Sequence, residues 1–142
     1  MGATETERGN AVAAEVWNLI SELMLVNKPK FMAVCREFEL FPPQVMVLRA
    51  LEEPKPMREV AQFLACDNSN LTGIIDRLEE RDLVKRTADD NDRRVKLLVL
   101  TEEGQRLRKE IVARTSEPPP ELAALEARDL RTLRDILRRT AT

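Results

Sequence analysis

Between Asp67 and Leu100 the chain reads DNSNLTGIIDRLEERDLVKRTADDNDRRVKLLVL, an amphipathic helix running directly into a β-hairpin. Leu71, Ile74, Ile75 and Leu78 recur at helical spacing and form one apolar stripe. Ser69, Thr72, Gly73, Asp76 and Glu80 fall on the opposite face. Asp67 stands where an N-cap belongs, just before the periodic residues. The hairpin arms are expected over Val84–Thr87 and Arg94–Leu100, with the polar turn ADDNDR between them. The remaining segments read as what holds this unit in place.

Upstream, a long helix is expected from about Ala11 into the mid-thirties, after a frayed stretch over residues 1–10. Val12, Val16, Leu19, Leu23 and Val26 alternate steps of four and three, a heptad-like seam. Trp17, Ile20 and Met24 widen that seam, so the helix is apolar on more than one side. Such a helix either lies well covered in a core or meets a second chain, and the reading adopted is a dimer interface. Pro29 should kink or divide it near Asn27–Lys28. A second helix covers Pro43 to Leu51, opened by proline in its first turn. Glu52–Pro56 reads as a loop, and a third helix spans roughly Arg58 to Leu64. The short turn Ala65–Asp67 then leads into the helix described first. Two short helices joined by a tight turn, the second polar at its start, form a helix-turn-helix, and the hairpin supplies a wing. After the hairpin, Thr101 caps a helix with Glu102 and Glu103 in its first turn, and Ser116–Pro120 stops it. A last helical region follows from about Glu121. The expected fold class is mainly α with a small β-hairpin wing (α+β). It forms one domain over residues 1–142, with dimerisation helices at 11–38 and 102–140 and a winged helix-turn-helix lobe at 43–100.

Composition narrows the function. The chain has no histidine and no tyrosine, and its cysteines are Cys35 and Cys66. Metal sensing through histidine and Ser–His or Cys–His nucleophile pairs are thereby removed. No group of carboxylates or lysines forms a recognisable catalytic arrangement, so an enzyme is not expected, nor any cofactor or metal. No run approaches the roughly 20 apolar residues of a membrane helix. The first ten residues lack a signal-peptide pattern, so no membrane association and a cytoplasmic location are expected. The net charge is −2. Between Asn68 and Lys96 seven basic residues face seven acidic ones, so any reading as a nucleic-acid binder rests on which face each charge occupies.

The order of elements and the string LEERDLVKRTADDNDRRVKLLVLTEEG, residues 78–104, resemble the MarR family of bacterial transcriptional regulators. The family pattern there is a Leu-Glu-Glu-Arg-Gly-Leu-Val-like helix end, a wing with Asp-x-Arg, then Leu-Thr-x-x-Gly. These correspond to Leu78–Val84, to Asp92 and Arg94, and to Leu100, Thr101 and Gly104. DNSNLT fits the family's Asp-x-Ser-x-hydrophobic-Thr opening of the recognition helix. The resemblance covers most of the chain and implies an obligate homodimer with intertwined terminal helices. It also implies binding of double-stranded DNA at a pseudo-palindromic operator. Three positions depart from the pattern: Asp82 replaces the helix-ending glycine, Gly73 stands where a basic residue is frequent, and Met57 replaces a Ser or Thr. Asp visits the left-handed region more readily than most residues, so the turn at Asp82 can survive.

Seven residues are candidates for DNA contact. Ser69 and Thr72 lie on the exposed face of the recognition helix, where hydroxyls meet phosphate or base edges with weak discrimination. Asn68 and Asn70 lie to its sides; Asn can bind adenine with two hydrogen bonds, and it also favours helix starts for purely local reasons. Arg77 flanks the face and serves either a phosphate or an ion pair along the helix. Arg93 and Arg94 sit at the wing, suited to the negative potential of a narrow minor groove. An Asp92–Arg94 pair is compatible with that role, since the carboxylate would orient the guanidinium. Lys85, Arg86 and Lys96 on the hairpin arms either track phosphates or are solvated.

Many members of the family bind small aromatic or phenolic anions between the dimer helices and the DNA-binding lobe. Trp17, Phe31, Phe38 and Phe41 are candidates to line such a pocket, with ordinary core as the alternative for each. Cys35 and Cys66 read as small apolar residues rather than thiol sensors. The function expected is a ligand-responsive homodimeric repressor. The alternative is a winged-helix module that binds protein rather than DNA.

Overall fold

The computed structural model describes residues 2 and 4–141. Ten elements follow one another. They are α1 (Glu5–Glu37), α2 (Pro42–Ala50), β1 (Lys55–Pro56), α3 (Met57–Phe63), α4 (Asn68–Glu80), β2 (Val84–Ala88), β3 (Lys96–Leu100), α5 (Glu102–Thr115), α6 (Pro120–Ala123) and α7 (Ala127–Thr140). The strands form an antiparallel sheet in the order β1-β3-β2. The protein is thus mainly helical with a small winged sheet, as expected.

The core gathers α2, α3, α4, the sheet and α5. Val45, Leu48, Val60, Leu71, Ile75, Leu78, Leu98 and Ile111 are all fully buried. On α4 the stripe reads as its spacing predicts, with Leu71, Ile75 and Leu78 buried and Ile74 half-buried. Asp67 caps that helix by accepting the Asn70 N–H at 2.8 Å. The other three N–H groups of the first turn remain free of helical partners, as at any helix start.

Helices α1, α3 and α4 end alike. Glu39, Ala65 and Asp82 take positive φ, at 53°, 50° and 55°. In each case the next N–H reaches back five residues, Leu40 to Cys35, Cys66 to Ala61 and Leu83 to Leu78. This is the Schellman arrangement, achieved here without glycine. Asp82 therefore holds the left-handed turn expected of it. Glycine is indispensable instead at Gly104, where a Cβ would run into the backbone carbonyl of Leu83. Thr101 completes that junction. Its hydroxyl donates to the Asp82 carbonyl at 2.6 Å and accepts the Gly104 N–H at 3.0 Å. The Leu-Thr-x-x-Gly string is the seam that fastens α5 under the end of α4.

Several boundaries differ from the sequence reading. α1 begins at Glu5, not Ala11, because Thr4 and Glu7 form a capping box. The Thr4 N–H donates to Glu7 Oε2 at 2.7 Å, and the Glu7 N–H donates to Thr4 Oγ1 at 3.2 Å. The Thr4 N–H, and after it the Thr4 hydroxyl donating to the same Oε2 at 3.1 Å, hold the Glu7 carboxyl below its ordinary range. Of the stretch expected to fray, Met1 and Ala3 lie outside the described residues. α1 also runs through Pro29 without dividing. Proline forfeits one backbone bond, while burial of Val34 and Cys35 beyond it anchors the last turns in the core. The expected 52–56 loop ends in a strand, because Lys55 and Pro56 pair with Leu98 and Leu97. Two residues are too few for a periodic signal, and proline is tolerated there because β1 is an edge strand. The hairpin's second arm starts at Lys96, so Arg94 lies in the turn. The last helical region divides into α6 and α7, separated at Leu125–Glu126.

Helix α7 and the first half of α1 are amphipathic helices without a core. No residue of α6 or α7 is buried. Along α1, Val12, Val16, Trp17, Leu19, Leu23 and Met24 are all exposed, Trp17 by 67% and Met24 by 70%. Leu133, Ile136 and Leu137 of α7 are exposed as well. Among the described residues no helix is long and apolar enough to cross a membrane.

Candidate nucleic-acid interface

The outer face of α4 is open. Asn68, Ser69, Asn70, Thr72, Gly73, Asp76 and Arg77 are all exposed, and a Cβ added at Gly73 would meet nothing within 4 Å. All seven sequence-derived candidates lie at the surface of the lobe, five on α4 and two on the wing. Their local chemistry differs. The Thr72 hydroxyl donates its proton to the Asn68 carbonyl at 2.8 Å, leaving only acceptor capacity toward a ligand. Asn70 has its backbone N–H engaged by Asp67, and its side chain is exposed. Arg77 and Arg93 make no ion pair among the described residues, so both guanidinium groups point charge into solvent.

The wing is a hairpin closed by its own turn. The Asn91 N–H donates to Asp89 Oδ1 at 3.0 Å and the Asp89 N–H to the Val95 carbonyl at 3.0 Å. Asp92 organises the tip: its Oδ1 accepts the Arg94 backbone N–H at 3.1 Å and the Arg94 Nε–H at 3.2 Å. The Arg94 side chain nevertheless stays 92% exposed. Ion pair and outward presentation thus coexist, because the carboxylate holds the Nε edge and leaves the terminal nitrogens free.

Arg86 behaves differently from the other arm residues. It is half-buried between the wing and α4, donating to Asp76 Oδ1 at 2.7 Å and touching the Glu79 carboxylate. It is neither solvated nor turned toward a phosphate. Its position neutralises the carboxylate that the recognition helix would otherwise present. Arg81 is likewise internal in role, with Nη1 donating to the Glu39 carbonyl at 2.7 Å and Nη2 to the Phe38 carbonyl at 3.1 Å. These bonds tie the end of α4 to the end of α1.

Asn68 and Thr72 also form one wall of a cleft of about 370 Å³, shared with Pro56, Met57, Arg58, Val95 and Lys96. Arg58 was not among the sequence candidates. It comes into the site because β1 pairs with β3 and so sets the start of α3 beside the foot of the wing. A two-residue strand carries no pattern from which that neighbourhood could be read.

A second cleft, of about 510 Å³, opens where α1 meets α5 and the Pro118–Pro120 segment. Leu23, Met24, Phe31, Val34 and Leu122 supply its apolar walls, and Lys28, Lys30, Arg114 and Glu117 its charges, with Lys30 paired to Glu117 at 3.2 Å and Arg114 to Glu37 at 2.6 Å. Of the aromatic residues considered for an effector site, Phe31 alone lines it. Phe31 and Phe38 pack against the core, whereas Trp17 and Phe41 are exposed. Cys35 is 2% exposed, and burial pushes its thiol pKa up. Cys66 is half-buried against the core.

An open polar helix face beside a wing with an arginine at its tip, mounted on a helix-turn-helix, defines a winged helix-turn-helix protein. The sequence profile of the MarR family matches residues 40–96, the span from the start of α2 to the start of β3. The uncharacterized HTH-type transcriptional regulator YsmB of Bacillus subtilis is 31% identical over 108 residues, 73% of each chain. The HTH-type transcriptional regulator MgrA of Staphylococcus aureus is 31% identical over 88 residues, 61% of this chain and 60% of its own length. Among solved structures, CouR from Rhodococcus jostii RHA1 bound to p-coumaroyl-CoA is 30% identical. The match covers 91% of this chain and 93% of CouR, with a TM-score of 0.75. The chain belongs to the MarR family, whose similar members are transcriptional regulators.

Proposed function

We propose that the protein is a homodimeric, sequence-specific DNA-binding regulator that represses transcription from a pseudo-palindromic operator and responds to a small aromatic or phenolic anion. The observation that carries the DNA reading is the open face of α4, flanked by the unpaired guanidinium groups of Arg77 and Arg93 and by the outward Arg94. Asn68, Ser69, Asn70 and Thr72 are the side chains placed to meet base edges or phosphates in the major groove, and Arg93 and Arg94 to reach the adjacent minor groove. Two recognition helices in a dimer would sit about one duplex turn apart, roughly 34–36 Å.

Dimerisation is supported by the apolar faces of α1 and α7, which stay exposed among the described residues. Effector binding is supported by the apolar cleft at Phe31, where Lys28 is the lining cation without an ion-pair partner among the described residues, and the related CouR carries an aromatic acyl thioester. A ligand there would act by favouring one spacing of the two recognition helices over another.

Capture of genomic fragments by the purified protein, followed by gel shifts at two salt concentrations, tests the proposal. A defined palindromic site bound with steep salt dependence is the expected result. Failure to enrich any duplex, by a folded and dimeric protein, would leave the competing reading of a winged-helix module that binds protein.

A further inference from the structure

The cleft between α3 and the foot of the wing carries an inference that rests on the DNA-binding reading and deepens it. Met57, Val95, Asn68 and Thr72 line the cleft together with Arg58 and Lys96. Pairing of Pro56 with Leu97 brings these residues together, since Lys96 and Met57 directly adjoin that pair. Neither Arg58 nor Lys96 has an ion-pair partner among the described residues, and both are exposed. No acidic side chain lines the cleft. The adjoining Glu59 faces a separate hollow with Arg49 and Phe63.

Three other cations near α4 are partly spent within the protein: Arg81 on carbonyls, Arg86 on Asp76 and Glu79, Arg94 on Asp92 through one edge. Arg77, Lys85 and Arg93 are also unpaired among the described residues, but they do not line this cleft. Arg58 and Lys96 instead present two uncommitted charges at one cleft, beside Asn68 and Thr72. Two cations together with the exposed Asn68 carboxamide at one cleft suit an oxyanion that accepts from several donors at once. We infer that Arg58 and Lys96 form a phosphate clamp that holds one backbone phosphodiester of the bound duplex beside the start of the recognition helix. The clamp takes over the backbone anchoring that Gly73 cannot provide on the helix face itself. It positions α4 in the groove and reads no base.

The test measures duplex affinity against salt for the wild-type protein, Arg58→Gln, Lys96→Gln, and Lys109→Gln as a distant control. Each phosphate contact contributes about 0.9 to the slope of log affinity against log salt, so losing this one contact in both protomers removes up to about 1.8. Raising salt from about 50 to about 200 mM then costs either variant up to about 12-fold less affinity than it costs the wild type. The loss at low salt is expected to be equal on operator and unrelated duplex, and Arg58→Lys and Lys96→Arg are expected to restore the slope. Unchanged slopes in both Gln variants, with wild-type binding intact, overturn the clamp while leaving the DNA reading standing. Loss confined to the operator assigns the pair to base reading and also overturns it. Inorganic phosphate at constant ionic strength should displace wild-type and variant complexes alike; displacement of the wild type alone would mark a site for the free anion instead. If the wild-type protein binds no duplex, the parent reading falls and the clamp with it.

Discussion

The junction between wing and recognition helix rests on one side chain, and Arg86→Gln tests it. Arg86 is 26% exposed and faces Asp76, 56% exposed, and Glu79, 35% exposed. Its Nη2 also approaches the Thr72 carbonyl at 3.4 Å. Unit charges about 4 Å apart attract by about 4 kcal/mol at an effective dielectric of about 20, before desolvation and side-chain ordering are subtracted. Fully exposed pairs retain about 0–1 kcal/mol, and breaking a fully buried one costs about 3–5 kcal/mol. A cluster half out of water lies between, so removing the guanidinium should cost about 1–3 kcal/mol, a fall of about 3–10 °C in melting temperature for a chain of this size. A second consequence separates this from simple loosening. The substitution frees two carboxylates per protomer next to the face proposed to meet phosphates, so operator affinity should fall at least about tenfold at low salt. Adding Asp76→Asn to Arg86→Gln removes one of those charges and should recover part of the affinity without recovering the full melting temperature. Thermal melts at fixed protein concentration and fluorescence anisotropy with labelled operator measure the two effects. Arg86→Gln that melts and binds like the wild type would refute the assignment of Arg86 as the wing's anchor.

Other positions give sharper single outcomes. Arg94→Ala should weaken operator binding and make its salt dependence shallower, since the exposed guanidinium is held outward by Asp92; unchanged affinity in a folded dimer would remove the wing from the interface. Gly104→Ala should lower the urea midpoint by an amount equivalent to about 1–3 kcal/mol, because the new Cβ meets the fixed Leu83 carbonyl; equal midpoints would show that α5 can shift away freely. At neutral pH a thiol reagent should modify Cys66 well before Cys35, whose burial both blocks access and keeps the thiol protonated. Equal rates in the native protein would contradict that packing.

Much of the lobe was legible because its signals are local. The α4 stripe, the Asp67 cap, the Thr101 cap and the Asp82 turn each depend on residues within a few positions of one another. Thr4 and Glu7 form an equally local signal, masked by the polar composition around them. What sequence could not show was long-range. Arg58 reaches the site through the pairing of β1 with β3, and Arg81 reaches α1 across the lobe. The aromatic residues illustrate the same limit: Trp17, Phe38 and Phe41 share a residue class with Phe31, but only the placement of α1 against α5 selects which one lines the cleft.

The even charge count from Asn68 to Lys96 looked unfavourable to DNA, and geometry changes its meaning. A count treats Asp76 and Glu79 as two negative charges near the groove, yet Arg86 is folded onto both. Asp92 is turned into the wing tip, where it orients Arg94 rather than opposing it, and Asp89 accepts an N–H inside the turn. Each of these acids is oriented by a donor within the protein. Arg77, Lys85, Arg93 and Lys96 have no such partner among the described residues, and neither do the carboxylates of Glu80, Asp82 and Asp90. At about 8–10 Å, the screening length near physiological salt, a ligand feels the nearest unpaired charges more than the regional sum. Substitutions that free an acid next to α4 should therefore weaken binding as effectively as substitutions that delete a cation. That equivalence can be measured by comparing Arg86→Gln, which frees two acids, with Arg93→Gln, which deletes one outward charge. Should Arg86→Gln leave affinity intact while Arg93→Gln weakens it, the paired acids lie outside the reach of the duplex, and the charge count of the region had no bearing on binding in either direction.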